Sequence, residues 1–362
     1  MLTANGEVEL CRAYYRCPHC GFCRFPFDEV AHLDGRYSPG VRPLIALTGA
    51  LVPFRQAKDL LERLAGLKLS TSSCRRLTER LGQELQERHR GGETFVPPKP
   101  ASWDLRLPDD KGRRLSEQVL YVGVDAFAVP TRIHAGLTTA WKMMYVGLLY
   151  DPVKEHTVYL SDYDLDHLAA SLRRYAVALG LGQDPSLTVV ALMDGGNGLE
   201  SAVRRSFSDA VRFVLDYYHA AEHLYDLASS LWGEDSLCGR AWAEASKTVL
   251  WDEGGLALLK RLRALEQPSP VPEDGGEMVR RCLGYFENNV HRLDYPSYRQ
   301  SHWDVGSGPT EAGCKILKGR LDGTGMRWLK ECSAEVGALR ALYESGEGLW
   351  DTFFQPNQSS AA

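Results

Sequence analysis

The stretch that most constrains this chain is 117–224, where apolar runs of strand length alternate with helical patterns. Val119-Leu120-Tyr121-Val122-Gly123-Val124 leads into Asp125, Leu187–Met193 into Asp194, and Val211–Leu215 into Asp216. Ala140–Tyr150 and Thr157–Leu160 read as two further strands. A helix is predicted from Leu165 to about Leu179, a short one through Leu199, Val203 and Phe207, and a third with His219, His223 and Leu224. Run length and period separate the two kinds of element. The order of three strands, helix, strand, helix, strand, helix predicts an α/β sheet with an early meander and later crossovers. Open α/β sheets keep their sites at the carboxyl ends of strands. The aspartates are therefore the first candidates for chemistry, although an aspartate after a strand is also a common turn former or helix cap.

A second stretch bears on the first. Gly306-Ser307-Gly308-Pro309-Thr310-Glu311 opens a helix that continues through Cys314, Lys315, Lys318 and Arg320, and the stretch closes at Gly325-Met326-Arg327-Trp328. Ser307 or Thr310 can cap the helix. Glu311 stands in the first turn, where the helix dipole favours a negative charge. The residues read two ways: a capped helix with a Glu311–Lys315 ion pair, or one acid and a cationic face for a divalent cation and a phosphodiester. Asp125, Asp194 and Glu311 together are what a two-metal phosphoryl-transfer site needs, since Mg²⁺ takes hard oxygen ligands and keeps several waters.

The 362 residues suffice for two or three domains. No run of 18 apolar residues predicts a membrane span. Glu7 and Glu9 stand where a signal core would be, so the expectation is a cytoplasmic protein. A net charge of −5 argues against coating nucleic acid nonspecifically and leaves room for local basic patches. The nine cysteines, an odd number, argue against a disulfide framework.

Four of the cysteines, Cys11, Cys17, Cys20 and Cys23, fall in a Cys-rich segment at 1–35, where Cys17-Pro18-His19-Cys20-Gly21 reads as a zinc knuckle. The four thiols could supply one zinc site, or remain reduced thiols of a partial one. Residues 8–15 alternate like a strand leading into it. Residues 41–90 are predicted helical, with a break at Gly66 and a second helix from about Ser70. That helix turns Cys74, Leu77, Leu81 and Leu85 inward and Arg75, Arg76, Arg80 and Arg88 outward, the outline of a DNA-binding helix-turn-helix or of a plain helical bundle with solvated arginines. The proline-bearing stretch 91–116 reads as a linker and 351–362 as a polar tail. Residues 230–300, with Trp232, Trp242 and Trp251, form an all-helical segment broken near Pro268, Pro270 and Pro272.

Val124-Asp125, Met193-Asp194-Gly195, Asp216-Tyr217-Tyr218-His219 and Gly306–Glu311, with Arg320 and Gly325–Trp328, resemble in this order a bacterial insertion-sequence DDE transposase of the ISKra type, within the wider Mutator-like group. The resemblance covers nearly the whole chain, including Tyr14–Gly21 and Pro26-Phe27-Asp28. It implies a ribonuclease-H-like catalytic domain over 117–350 with a helical insertion at 230–300. Asp125, Asp194 and Glu311 would be its metal-binding acids, holding Mg²⁺ or Mn²⁺. Asp216 and His219 would stand behind them, His219 near the scissile phosphate or orienting a ligand. Lys315, Lys318, Arg320 and Arg327 would contact phosphates, beside Arg75, Arg76 and Arg80 of the helical domain. The implied partners are double-stranded DNA, as element ends and target, and further copies of the chain, in the bacterial nucleoid. Two departures qualify this. The upstream Cys-x-x-Cys knuckle usual in the family is missing, so a truncated or inactive derivative that only binds DNA is the alternative. Ala126 also stands where glycine is common.

Overall fold

The computed structural model describes residues 1–31, 33, 36–133, 138–181, 184, 186–196, 198–208, 211–265 and 273–355. Two small hairpins open the chain, β1 (Leu2–Thr3) with β2 (Gly6–Glu7) and β3 (Tyr15–Arg16) with β4 (Cys23–Arg24), followed by the short α1 (Pro26–Val30). The strand expected over 8–15 is thus confined to its end. Helices α2 (Arg42–Leu51), α3 (Phe54–Ala65) and α4 (Thr71–Arg90) come next. Gly66 ends α3 in the left-handed conformation, at φ 67°. Ser70 caps α4 by accepting the Ser73 N–H at 3.0 Å.

Strands β5 (Arg106–Pro108), β6 (Arg114–Ile133), β7 (Thr138–Tyr150), β8 (Thr157–Asp162), β9 (Leu187–Met193) and β10 (Val211–Leu215) form a six-stranded mixed sheet. Its order is β10-β9-β6-β7-β8, with β5 paired to β6. β6, β7 and β8 are the antiparallel meander. Helix α5 (Leu165–Ala178) then crosses to β9, and α6 (Leu199–Phe207) to β10, both strands parallel to β6. The rest is helical: α7 (Tyr217–Trp232), α8 (Leu237–Glu253), α9 (Gly255–Arg263), α10 (Glu273–Asn289), a 3-10 turn at Val290–Arg292, α11 (Tyr295–Gln300), α12 (Gly308–Leu321), α13 (Lys330–Glu344) and α14 (Leu349–Phe354). The α8–α11 segment is helical, as expected, and it packs on α7 through Tyr217, whose ring lies 4.6 Å from Trp251 and 5.1 Å from Tyr295. Pro268, Pro270, Pro272 and residues 356–362 lie outside the described residues. Among the described residues no helix is long and apolar enough to cross a membrane.

Alternation along β6 makes two cores. Leu120, Val122 and Val124 face one, with α5, α6 and the N-terminal helices, while Tyr121, Phe127 and Val129 face the other, with α7, α12 and the α8–α11 segment. Each fully buried aliphatic side chain contributes about 1.5–3 kcal/mol.

Three features differ from the sequence reading. The helices at 41–90 are not a unit apart, because Ile45, Leu61, Leu81 and Leu85 share one core with the sheet and with Leu339 of α13. Gly82 makes that docking possible: a Cβ there would lie 2.3 Å from the Glu335 carbonyl oxygen. The expected linker at 91–116 is packed in part, with Phe95, Trp103, Leu105 and Leu107 buried. Arg88, expected on the outer face of α4, instead turns onto Phe95, at 4.5 Å from the ring, and pairs with Glu93 at 2.7 Å. Apolar residues between prolines decide both outcomes, since they gain more from burial than from solvent.

Candidate active site

Sheet register brings the aspartates together. β10 pairs with β9 at Leu215↔Met193, and β9 with β6 up to Val122↔Ala191. Carried three residues further, the second register sets Asp194 level with Asp125, and the first sets Asp216 beside Asp194. Asp125 does not end its strand, as the sequence suggests. β6 runs on through it to Ile133, paired with β7 at Asp125↔Val146. The β9 pairing stops short of it, which leaves room for its carboxylate.

Helix α12 lies over this row because β6 carries no side chain at Gly123. A Cβ there would lie 2.0 Å from Thr310 Oγ1. The same helix reaches the sheet at Gly313, where a Cβ would lie 3.0 Å from Tyr159 and 3.1 Å from Leu148. With α12 so close, Cys314 Sγ donates to Asp125 Oδ2 at 3.4 Å, while the Ala126 N–H holds Oδ1 at 2.7 Å. Burial raises the Asp125 pKa; the Ala126 and Cys314 hydrogen bonds and His219 pull it back, and the Asp194 charge adds to the rise. The Cys314 thiol is pushed far up, first by burial and then by the charges of Asp125, Asp194 and Glu311. Of the three acids, Asp125 bonds the thiol directly, while Asp194 and Glu311 act on it through their charge. Glu311 is 55% exposed, with Lys315 Nζ at 3.5 Å, so the simple ion pair is formed.

Asp194 is held from behind. Gly196 N–H donates to its Oδ1 at 2.8 Å, and Arg292 donates to its carbonyl oxygen at 3.2 Å. Arg292 is itself buried and donates to Asn289 Oδ1 at 2.9 Å. Tyr285 covers Gly195 so closely that a Cβ would meet its ring at 2.5 Å. His219 Nε2 stands 3.6 Å from Asp194 Oδ2, and its Nδ1 faces Glu222 at 2.9 Å. Burial lowers the His219 pKa, but the Glu222 hydrogen bond and the charges of Asp194, Glu222 and Asp216 outweigh it and raise it overall. His223, one turn on, packs against Tyr285 with ring centroids 3.9 Å apart and the planes tilted by 41°.

Asp216 has a different task. It is 2% exposed, caps α7 by accepting from the Tyr218 and His219 N–H groups at 2.7 and 3.0 Å, and takes the Ser307 N–H at 2.6 Å. The Ser307 hydroxyl also donates to it, so Ser307 does not cap α12 with its side chain as expected. The buried carboxylate gathers donors from two elements because burial without them is costly. Asp216 thereby ties the start of α7 to the turn that aims Glu311. Gly306 in that turn is needed for closeness, not for a left-handed φ: a Cβ would lie 2.7 Å from the Tyr218 ring.

Of the expected phosphate contacts, Arg75, Arg76, Arg80, Lys315, Lys318 and Arg327 are exposed. Arg320 is a correction. It is 2% exposed, donates to the Gly49 carbonyl at 3.0 Å, and lies 4.9 Å from the Phe54 ring and 5.1 Å from the Trp328 ring. It joins α12 to the N-terminal helices and is out of reach of DNA. Trp328 is buried with it, and its backbone pairs with Pro130 and Arg132 of β6.

At the N-terminus, the β3–β4 hairpin folds Cys17 and Cys20 together. The backbone N–H groups of Cys20 and His19 and the Cys20 thiol point at Cys17 and lower its pKa. Cys23 instead accepts from the Tyr14 hydroxyl at 2.6 Å and donates to Gly21 at 3.3 Å, and Cys11 is exposed. Among the described residues no group of three or more His, Cys, Asp or Glu side chains is closed up enough to hold a metal ion.

Sequence reasoning missed Cys314, Tyr285 and Arg292. Cys314 had a signal, since it is three residues past Glu311 on a helix and so shares its face. Arg292 had none, being 98 residues from the aspartate it supports.

No protein-family model matches the chain. It is 22% identical over 368 residues to a Streptococcus gallolyticus protein described as a UPF0236 protein in the vanSb 3' region, an alignment covering 91% of this chain and 69% of that protein.

Proposed function

We propose that this chain is a DDE-type transposase of a bacterial insertion sequence, which binds the element's DNA ends and cuts and joins strands by phosphoryl transfer. The observation that carries the reading is the sheet register that sets Asp194 level with Asp125, with α12 packed over Gly123 so that Cys314, three residues past Glu311, bonds Asp125. The meander followed by two parallel crossovers, and the helical segment lying before Glu311, support a ribonuclease-H-like core.

The donor set is hard oxygen and suits Mg²⁺ or Mn²⁺. Asp125, whose charge is disfavoured by burial and by Asp194, is the group a cation would relieve most. Asp125, Asp194 and Glu311 would hold the ions. A bound pair would supply activation of the attacking oxygen and stabilisation of the leaving one. His219 orients the Asp194 carboxylate and brings positive charge to the place where a phosphate would sit. Hydrolysis at an element end frees a 3′-hydroxyl, which then attacks a target phosphodiester. Arg75, Arg76 and Arg80 on α4, Lys315 and Lys318 on α12, and Arg327 supply phosphate contacts. Cys17 and Cys20, with Cys11 and Cys23, would hold zinc in the N-terminal segment. Joining two ends calls for more than one copy of the chain.

The test is a cleavage assay with purified protein, Mg²⁺ and labelled duplex carrying the terminal repeats that flank the gene. Wild type is expected to cut. Asp125→Asn, Asp194→Asn and Glu311→Gln are each expected to lose at least about 10³-fold, the scale of several kcal/mol of charge stabilisation. Cleavage surviving all three changes sinks the site. Binding by wild type without cleavage favours a derivative that only binds DNA.

A further inference from the structure

The strands β6 and β7 outrun their neighbours. β9 pairs with β6 no further than Val122, and β8 with β7 no further than Tyr145. β6 and β7 go on together from Ala126↔Tyr145 to Ile133↔Thr138 as a two-stranded ribbon directly beyond Asp125, with Phe127, Val129 and Met144 of one face buried in the core. Most of the molecule buries its large apolar side chains, but on this ribbon Trp141 is 60% exposed and Met143 50%. The ribbon is also charged in one sense only. Residues 126–145 contain Arg132 and Lys142 and no Asp or Glu, in a chain with 47 acidic residues. Arg132 and Lys142 are exposed and have no ion-pair partner among the described residues, nor does the exposed Arg327, whose neighbour Trp328 pairs with β6 at Thr131.

We propose that this ribbon is a DNA-contacting arm that uses its open face: Trp141 stacks on unpaired bases near the cut, and Arg132 and Lys142 hold the flanking phosphates. The inference rests on the transposase reading of the site, and it adds a recognition surface to it. Three features select DNA over other occupants. A polyanion complements a stretch that carries no acid and whose cations have no ion-pair partner among the described residues. A two-stranded ribbon fits a DNA groove, and an exposed tryptophan offers a stacking face that any base can use. The strand pleat puts Lys142 on the side of Asp125 and turns Trp141, Met143 and Arg132 to the other side. Arg132 thus shares the open face with Trp141 and Met143, so that one face offers both a cation and a stacking ring. The register sets the reach: Trp141 is five positions beyond the Asp125 level, about 17 Å at about 3.3 Å per residue. At about 3.4 Å per nucleotide of one strand, the stacked base lies about five nucleotides from the scissile phosphate.

The experiment measures binding by the full chain without metal, in EDTA, so that it does not depend on cleavage. The probes are a fluorescein-labelled 30-base-pair duplex and the same duplex with four central mismatches, read by anisotropy. Trp141→Ala is expected to weaken binding of the mismatched duplex about 5- to 100-fold, the scale of losing one stacked base, with a smaller effect on the paired duplex. Trp141→Phe keeps a stacking face and should restore most of that loss. Arg132→Ala with Lys142→Ala should lower the salt slope by about two on both probes. Affinities within twofold of wild type for Trp141→Ala on both probes would overturn the proposal, as would an unchanged salt slope for the double variant. Loss of self-association by Trp141→Ala in sedimentation, with DNA affinity unchanged, would overturn it in favour of a contact between copies of the chain. If the chain fails to cut DNA but the ribbon variants behave as expected, the catalytic reading fails and the arm stands.

Discussion

At the first turn of α12, Glu311 stands half exposed above the aspartates; at its last turn, Arg320 is sealed between Phe54 and Trp328. Both belong to the same stretch, and by residue type both look functional. What separates them is the ground beneath. Under the first turn lies Gly123, which admits Thr310 and leaves Glu311 pointing outward. Under the last turn lie the N-terminal helices, whose Gly49 carbonyl needs a donor. Burial lowers the Arg320 pKa to about 10, with help from the Arg340 charge, and its Nη2 finds no partner. A side chain so placed holds two units together at some electrostatic cost. One end of the helix carries the candidate acid and the other joins it to the N-terminal helices, and a surface lysine pair lies between them.

The contrast breaks down if the two ends respond alike to mutation. The largest effect is expected from a mirrored pair. Glu311→Gln should abolish cleavage while shifting the unfolding midpoint in urea very little, since the side chain is over half exposed. Arg320→Ala should lower stability by about 2–4 kcal/mol, from the cavity and the lost ring contacts. Arg320→Met should recover most of that loss, because a hydrophobe of similar volume often replaces a buried ion without penalty. Equilibrium urea denaturation checks both changes, and a DNA salt slope that falls in Arg320→Met would restore its place among the phosphate contacts.

Next is Gly123→Ala, which forces α12 off the sheet. A loss of about 1–3 kcal/mol is expected from overpacking, together with slower cleavage as Glu311 is displaced. Thr310→Ala, which removes the clashing oxygen, should give part of both back. Failure of that rescue would break the link between Gly123 and the position of the helix. Smaller again are Lys315→Ala and Lys318→Ala, at 79% and 48% exposure. Each should reduce the salt slope of DNA binding by about one and leave stability alone.

The smallest effect concerns pH, at the packing of α13 on α4. Burial, with the charges of Glu79 and Glu331, raises the Glu335 pKa to about 7. A carboxyl whose folded pKa lies above its unfolded value stabilises fully below the ordinary glutamate range, near 4.3, and loses that contribution as pH rises through about 7. Thermal unfolding should therefore weaken between pH 5 and 8 in wild type and flatten in Glu335→Gln. Because the side chain is partly exposed, solvent screening keeps the change small.

The legible part of the fold was the part written in short range. Strands β9 and β10 and helix α6 fall where the apolar runs place them, because a strand or helix of that length shows its period within its own residues. The caps at Gly66 and Ser70 were readable for the same reason. The length of β6 was not, since its extension past Asp125 depends on β7 pairing with it to Ile133. Asp216 shows both sides at once. Its role as the cap of α7 is local, and its hold on Ser307 joins residues 91 positions apart.

By itself, then, the sequence determined which residues could be acids at the ends of apolar runs, and in what order the elements follow. Periodicity, turn glycines and capping side chains act over a few residues, so one chain is enough to read them. Tertiary structure decided which of two similar cations is buried, which glycine lets a helix descend, and which carboxylate turns toward another element. Those outcomes follow from close packing between segments far apart in the chain. Arg320 is the clearest case: its charge suits a phosphate, but its neighbours are Phe54, Trp328 and a backbone carbonyl.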